Sequence, residues 1–262
     1  MSIRSRHLIR LGLLFAGILS FASAVLVNSQ ILAFIGLGLT FWGALFFFVT
    51  PVRYIDGSLL GSSTISSYQT ISRIIRDLRL ISRGYHIPPF PRNAYIPDHL
   101  KRLKELVVFV PEATNVERPS IEEMAEGNFL LKNPKGILII PPGAGILSRM
   151  ESEFGVDFDS MDFATLRELL PRFLLEKFGL AKDLELSINE NLVDVIVDGS
   201  LYNHLYTNDP NLESINILGC PIISVVACVL AKATGKVVTL NTLQLFSNGQ
   251  IKAQFNIVAG RS

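Results

Sequence analysis

GCPIISVVACVLAKATGK, residues 219–236, is the stretch on which the rest of the chain is organised. Pro221 suits the first helical position, where its missing N–H would be unpaired in any case. Gly235 suits the cap at the other end. Between them Ile222, Ile223, Val225, Val226, Val229 and Leu230, with Ala227, Cys228 and Ala231, are apolar nearly all round. A helix of this kind is expected to be buried on most of its faces. Working outward, LELSI (184–188) and VDVIVD (193–198) bracket a tight turn on its N-terminal side. VVTLNTLQLF (237–246) and QIKAQFNIV (250–258) follow it and flank Ser247-Asn248-Gly249, where Asn-Gly is a strong hairpin signal. The order strand, strand, helix, strand, strand predicts an α+β domain ending in a ββαββ unit.

Further upstream, LVVFV (106–110) reads as a short buried strand, and FLL (129–131) and GILII (136–140) as a hairpin around KNPK. A helical turn is predicted near Ile121–Ala125. PPGAG (141–145) leads into ILSRMESEF, a short amphipathic helix. A longer helix is predicted over Ser160–Phe178, with a kink or break at Pro171. Residues 57–84 carry a helical pattern in which Ile65, Tyr68, Ile71, Ile75, Leu78 and Ile81 recur at threes and fours. Arg73, Arg76, Arg79 and Arg83 occupy other faces, so this basic helix is expected either to pack on the domain or to lie against lipid headgroups. HIPPFPRNAYIP (86–97), with four prolines, reads as an extended connector.

The first fifth of the chain is of another kind. Residues 11–27 and 31–50 hold no charged side chain, and Asn28, Ser29 and Gln30 separate them. Two membrane-spanning helices in a tight hairpin are the expectation, a span needing about 20 apolar residues. Ala22-Ser23-Ala24 resembles a signal cleavage site, but the apolar run continues through Val27, which favours a span. Gly12, Ala16, Ser20 and Ala24 on one helix, and Gly36, Thr40 and Ala44 on the other, are spaced for close packing, with Gly38 left on another face. Neither span carries an ionisable residue, which argues against transport. Arg4, Arg6 and Arg10 precede the first span and Arg53 follows the second, while the turn has no positive residue. Both termini are therefore expected in the cytoplasm, the protein sitting in the cell membrane as a two-span chain.

The overall net charge of +1 conceals a segregation. Residues 51–111 carry nine Lys/Arg against four Asp/Glu, and residues 112–262 twelve against nineteen. The basic segment suits membrane lipid, and the acidic distal part excludes a nucleic-acid footprint. Three parts are predicted: a hairpin (1–50), a basic juxtamembrane helix with its proline-rich linker (51–97), and a cytoplasmic α+β domain (98–262).

Chemistry is sparse. Cys220 at a helix N-cap is a candidate nucleophile, with His204 and Asp198 as base and orienting acid, because a helix dipole lowers a thiol pKa. The apolar helix behind it argues instead for a core thiol. Cys220 and Cys228, eight residues apart on one helix, would have Cα atoms about 12 Å apart, beyond disulfide reach. Gly143 and Gly145 are candidates for an anion-binding turn, but neither the Walker nor the dinucleotide pattern is present, which favours a tight turn between packed elements. Asp198, Ser200 and Tyr202 end a strand and line either a pocket or a simple turn. His7, His86, His99 and His204 have no metal-ligand spacing, so neither metal nor cofactor is expected.

The two-span N-terminus together with GILIIPPG, VDGSLY and GCPIISVVACVLAKATGKVV resembles a group of uncharacterised archaeal membrane proteins. The order of elements over 160–258 is similar to that of V4R/TRAPP-type ligand-binding domains, which implies ligand binding without assigning a residue to it. No cysteine follows Cys228, so the cysteine cluster that V4R families carry near their end is missing. The expected function is a membrane-anchored module that binds a small ligand or a protein partner. The alternatives are a thiol enzyme using Cys220 and a lipid-sensing scaffold using the 65–83 helix.

Overall fold

The computed structural model describes residues 3–27, 29–48, 57–81, 83–90, 95, 97–113, 118–207 and 212–258. Asn28 of the predicted turn, Arg53, and residues 91–94 and 96 of the proline-rich stretch lie outside the described residues. The chain divides into two compact units, Met1–Ile55 and Asp56–Ser262.

The first unit is a helical hairpin, α1 (Ile3–Val27) and α2 (Gln30–Phe48). Its contact line runs through small residues, one position away from the face read from spacing at the N-terminal end. A Cβ on Gly17 would stand 2.6 Å from Thr40 N, and one on Gly36 2.7 Å from Phe21 N, so neither position has room for a larger side chain. Gly43 meets Leu14 in the same way, Ala24 is buried, and Ser20 Oγ donates to Leu32 O at 3.4 Å. Gly12, expected on this line, faces open space, as does Gly38. The large apolar side chains point outward instead: Phe15 is 70% exposed and Leu26 87%.

The second unit is α+β, built on one antiparallel eight-stranded sheet of order β3-β4-β2-β1-β7-β8-β6-β5. It opens with α3 (Gly57–Asp77), followed by β1 (Tyr85–Ile87), a 3-10 helix (Asp98–Lys104) and β2 (Val107–Pro111). Then come α4 (Ile121–Glu126), the hairpin β3 (Leu130–Lys132) and β4 (Lys135–Ile139), α5 (Ala144–Phe154) and α6 (Phe163–Pro171). A π-helical segment, Arg172–Lys177, continues from Pro171, the break expected where proline removes a donor. The last third holds β5 (Asp183–Asn189), β6 (Leu192–Asp198), the short helices α7 (His204–Thr207) and α8 (Glu213–Leu218), α9 (Pro221–Thr234), β7 (Val237–Leu245) and β8 (Ile251–Val258).

α9 is the centre of this unit. Every residue from Pro221 to Ala233 is buried, with the alternate residues Val193, Val195, Val197, Ile251, Ala253, Phe255 and Ile257 of the sheet joining the same core. Cys220 takes the N-cap position and Gly235 the left-handed C-cap, as the flanking residues predict. Among the described residues only Glu213–Thr234 is long and apolar enough, by length and composition, to cross a membrane, and 94% of that window is buried. It serves as core here. Gly12–Val27 and Gln30–Phe46 are shorter apolar helices.

Two expectations about residues 51–97 need correction. The helical pattern ends at Asp77, where Leu78 and Arg79 turn the chain and Arg79 takes φ 54. The helix is part of the domain: Tyr68, Ser72 and Ile75 are buried, and Tyr68 Oη donates to Gly219 O at 2.8 Å. Its apolar stripe is thereby used up and cannot also face a bilayer. His86 and Ile87, read as connector, form with Tyr85 the strand that joins the two halves of the sheet, pairing with β2 and β7. A three-residue strand closed by Pro88 and Pro89 is too short to show a period.

Candidate functional site

The thiol constellation does not assemble. Cys220 is fully buried, and burial pushes its thiol pKa up, opposed by the hydrogen bond from Tyr206. Its backbone N–H donates to Tyr206 Oη at 3.2 Å. Tyr68, Tyr202 and Tyr206 surround it, and burial raises all three phenol pKa values, the thiol adding to the effect. His204 Nδ1 lies 3.1 Å from Leu201 O, and its ring packs against Gly61. Among the described residues neither Cys220 nor Asp198 shares a hydrogen bond with His204. A nucleophile needs a lowered pKa and a base in reach; burial raises the pKa of this thiol, and among the described residues no histidine or carboxylate hydrogen-bonds it.

The other sequence candidates have structural work. Gly143 is buried because a Cβ there would overlap the backbone of α9 at Val225, and its N–H donates to Ser224 Oγ at 3.1 Å. The PPGAG turn is therefore pressed against the core helix, and that N–H is not offered to an anion. Gly145 is exposed in the first turn of α5. Ser200 Oγ accepts from Tyr202 N at 3.1 Å, a local turn, with Asp198 at the end of β6. Arg73, Arg76, Arg79 and Arg83 are all exposed, Arg73 pairing with Asp77 at 3.7 Å. Among the described residues no three His, Cys, Asp or Glu side chains converge as a metal site would require.

A different region has the shape of a site. β2 is apolar on both faces: Val108 and Val110 join one cluster, which includes Ile75 of α3 and Ile217 of α8, and Val107 and Phe109 join another on the opposite side. Among the described residues the second face is covered by the 3-10 helix and α4. Ser120 caps α4 by accepting from Glu123 N at 3.2 Å, and Glu123 Oε1 accepts from Asn133 N at 3.2 Å, tying α4 to the β3–β4 turn. Arg102 Nη1 donates to Gly127 O at 2.8 Å, and Phe90 N to Leu103 O at 2.8 Å, holding the 3-10 helix between its neighbours.

These short pieces leave a cleft of about 720 Å³ over the sheet. Ile87, Val107 and Leu138 form its floor, Leu103 and Met124 its flanks, and Phe90, Ile121, Phe129 and Ile140 its rim. Among the described residues its charged wall is formed by Arg102, Arg118 and Glu105. The rim is unusually bare for a soluble surface, Ile140 being 66% exposed and Phe129 50%. A second cavity of about 320 Å³ shares Phe90, Glu105 and Ile140 with the first. Its walls include Lys232, a buried lysine that donates to Glu151 Oε1 and lies 3.4 Å from Asp159 Oδ1. Such a cleft can hold an apolar body and orient one polar group.

None of its residues was singled out from sequence as a site. The available signal was LVVFV itself, apolar at consecutive positions and so in need of cover on both faces, beside covering segments too short to supply it. No curated protein and no solved structure matches the chain. A family model, a domain of unknown function named DUF7982, matches residues 3–255. By that match over nearly its whole length, the chain belongs to the DUF7982 family.

Proposed function

We propose that the chain is a membrane-anchored binding protein whose second unit takes a small, largely apolar ligand in the cleft over β1, β2 and β4. The observation that carries this reading is the cleft itself, ligand-sized at about 720 Å³ and floored by buried and half-buried aliphatic side chains. The chain resembles two-span archaeal membrane proteins, and residues 160–258 resemble V4R/TRAPP-type ligand-binding domains in element order; the cleft lies outside that stretch and rests on its own geometry. The anchor is the α1–α2 hairpin, which crosses the cell membrane twice with both termini in the cytoplasm. Its outward-facing Phe15, Leu26, Phe34 and Phe41 suit hydrocarbon, and the turn between the helices has no positive residue, which supports that orientation. The exposed arginines of the α3 region remain available to anionic headgroups, without an apolar stripe to insert.

The test is site-directed. Both native thiols are fully buried, so an Ile121→Cys variant of the full chain in zwitterionic nanodiscs takes an environment-sensitive label at the rim alone. Added decanol is expected to shift the label saturably, and Leu138→Asp on the floor to abolish the shift while Cys220 and Cys228 stay unreactive, which shows that the fold is retained. A decanol response that is absent, or unchanged by Leu138→Asp, defeats the proposal.

A further inference from the structure

The charge on the cleft wall narrows the ligand class, on the premise that the cleft binds at all. We propose that the ligand is a single-chain amphiphile with an anionic head, its chain on Val107 and Leu138 and its carboxylate or phosphate against Arg118 and Arg102. Among the described residues two guanidiniums and one carboxylate line the cleft, and the three glutamates of α4 are not on its wall. Arg102 is fixed there by the carbonyls of Glu126 and Gly127, so its charge is held at the wall. Arg118 is exposed beside Pro119 and has no hydrogen bond or ion pair among the described residues. A planar guanidinium presents a fork of donors that matches a carboxylate or phosphate and no neutral head equally well. Glu105, on the wall shared with the smaller cavity, repels an anion from that end and so sets the direction of the chain. The floor offers no charged side chain, so a ligand polar along its whole length would gain nothing from burial there.

The labelled Ile121→Cys chain separates the possibilities. In zwitterionic discs at neutral pH, decanoate is expected to bind about fivefold more tightly than decanol, the range open to a solvent-exposed charge pair. Decylamine should bind more weakly than decanol. Arg118→Gln should narrow the gap between decanoate and decanol, and Arg118→Gln with Arg102→Gln should close it. Lengthening the carboxylate by one methylene should tighten binding about fourfold until the cleft is filled. Saturation by free decanoate assigns a soluble source. A response to discs containing anionic lipid, with no free amphiphile, assigns the bilayer as the source and keeps the anionic head. Equal affinity for the three heads, or decanoate binding indifferent to Arg118→Gln, overturns the inference while leaving the apolar binding site in place. Loss of the decanol response as well removes both.

Discussion

His86 sits in the middle of the sheet, between its strand partners Val108 and Val238, fully buried and with no hydrogen-bond partner on either ring nitrogen. Burial lowers its pKa to about 4, the backbone at Val238 acting in the opposite direction. The imidazole is therefore neutral when folded and titrates near 6.5 when unfolded. Its contribution is fully present above about pH 6.5 and is lost as pH falls toward 4, amounting to about 3 kcal/mol at the end of that window. Unfolding free energies of the wild-type chain should fall over that interval by more than those of His86→Phe, by roughly that amount. Identical slopes would show that the ring is not buried neutral. At Cys220 the expectation is silence: iodoacetamide should modify neither Cys220 nor Cys228 in the native chain and both after denaturation, because both are fully buried with raised pKa values.

Among the elements, α9 was the most legible, because its two ends are marked by Pro221 and Gly235 and its middle has no polar face. The β7–β8 hairpin was legible for a like reason, with Asn248-Gly249 fixing the turn. What escaped was short or defined by packing. β1 has three residues, α8 six, and α3 stops at Asp77 because the chain must turn into the sheet, which the arginine-rich pattern beyond that point does not reveal. Gly143 offered two readings, an anion-binding turn and a tight turn between packed elements, and is a close approach to α9, since a glycine that spares a Cβ reads the same in either setting. Gly143→Ala would drive a methyl into the α9 backbone and should destabilise the second unit by about 3 kcal/mol or more, measured by denaturation. The Lys232–Glu151 pair gives a second elemental test. Lys232→Met removes the buried cation that Glu151 and Asp159 share and should cost about 3 kcal/mol, measured by denaturation. Adding Glu151→Leu should recover part of that loss, so that the double variant is more stable than the sum of the single changes implies.

At the scale of the whole molecule, the sheet divides into two regimes that follow from strand composition. β5, β6 and β8 alternate apolar and polar residues and bury one face. β2 does not alternate, and among the described residues its second face is covered by pieces too small to close over it. The candidate site lies where cover runs short, which explains why the fold was more legible than the site: strands announce themselves by period, whereas a cleft depends on the size of elements brought from elsewhere. For the proposed two-span anchor, a protease-sensitive reporter fused after Ser262 should be protected in intact cells and cleaved once they are permeabilised; cleavage from outside would reverse the orientation.

The methionine methyl groups give the decisive reading of whether the cleft binds. Met124 is half-buried on its flank, while Met150 is fully buried in the core of α5. In carbon-13 methyl spectra of the full chain in nanodiscs, titration with decanoate should move the Met124 signal saturably and leave Met150 still. A Met124 signal that stays in place while decanoate saturates the disc, or one that moves only together with Met150, would contradict a ligand in this cleft.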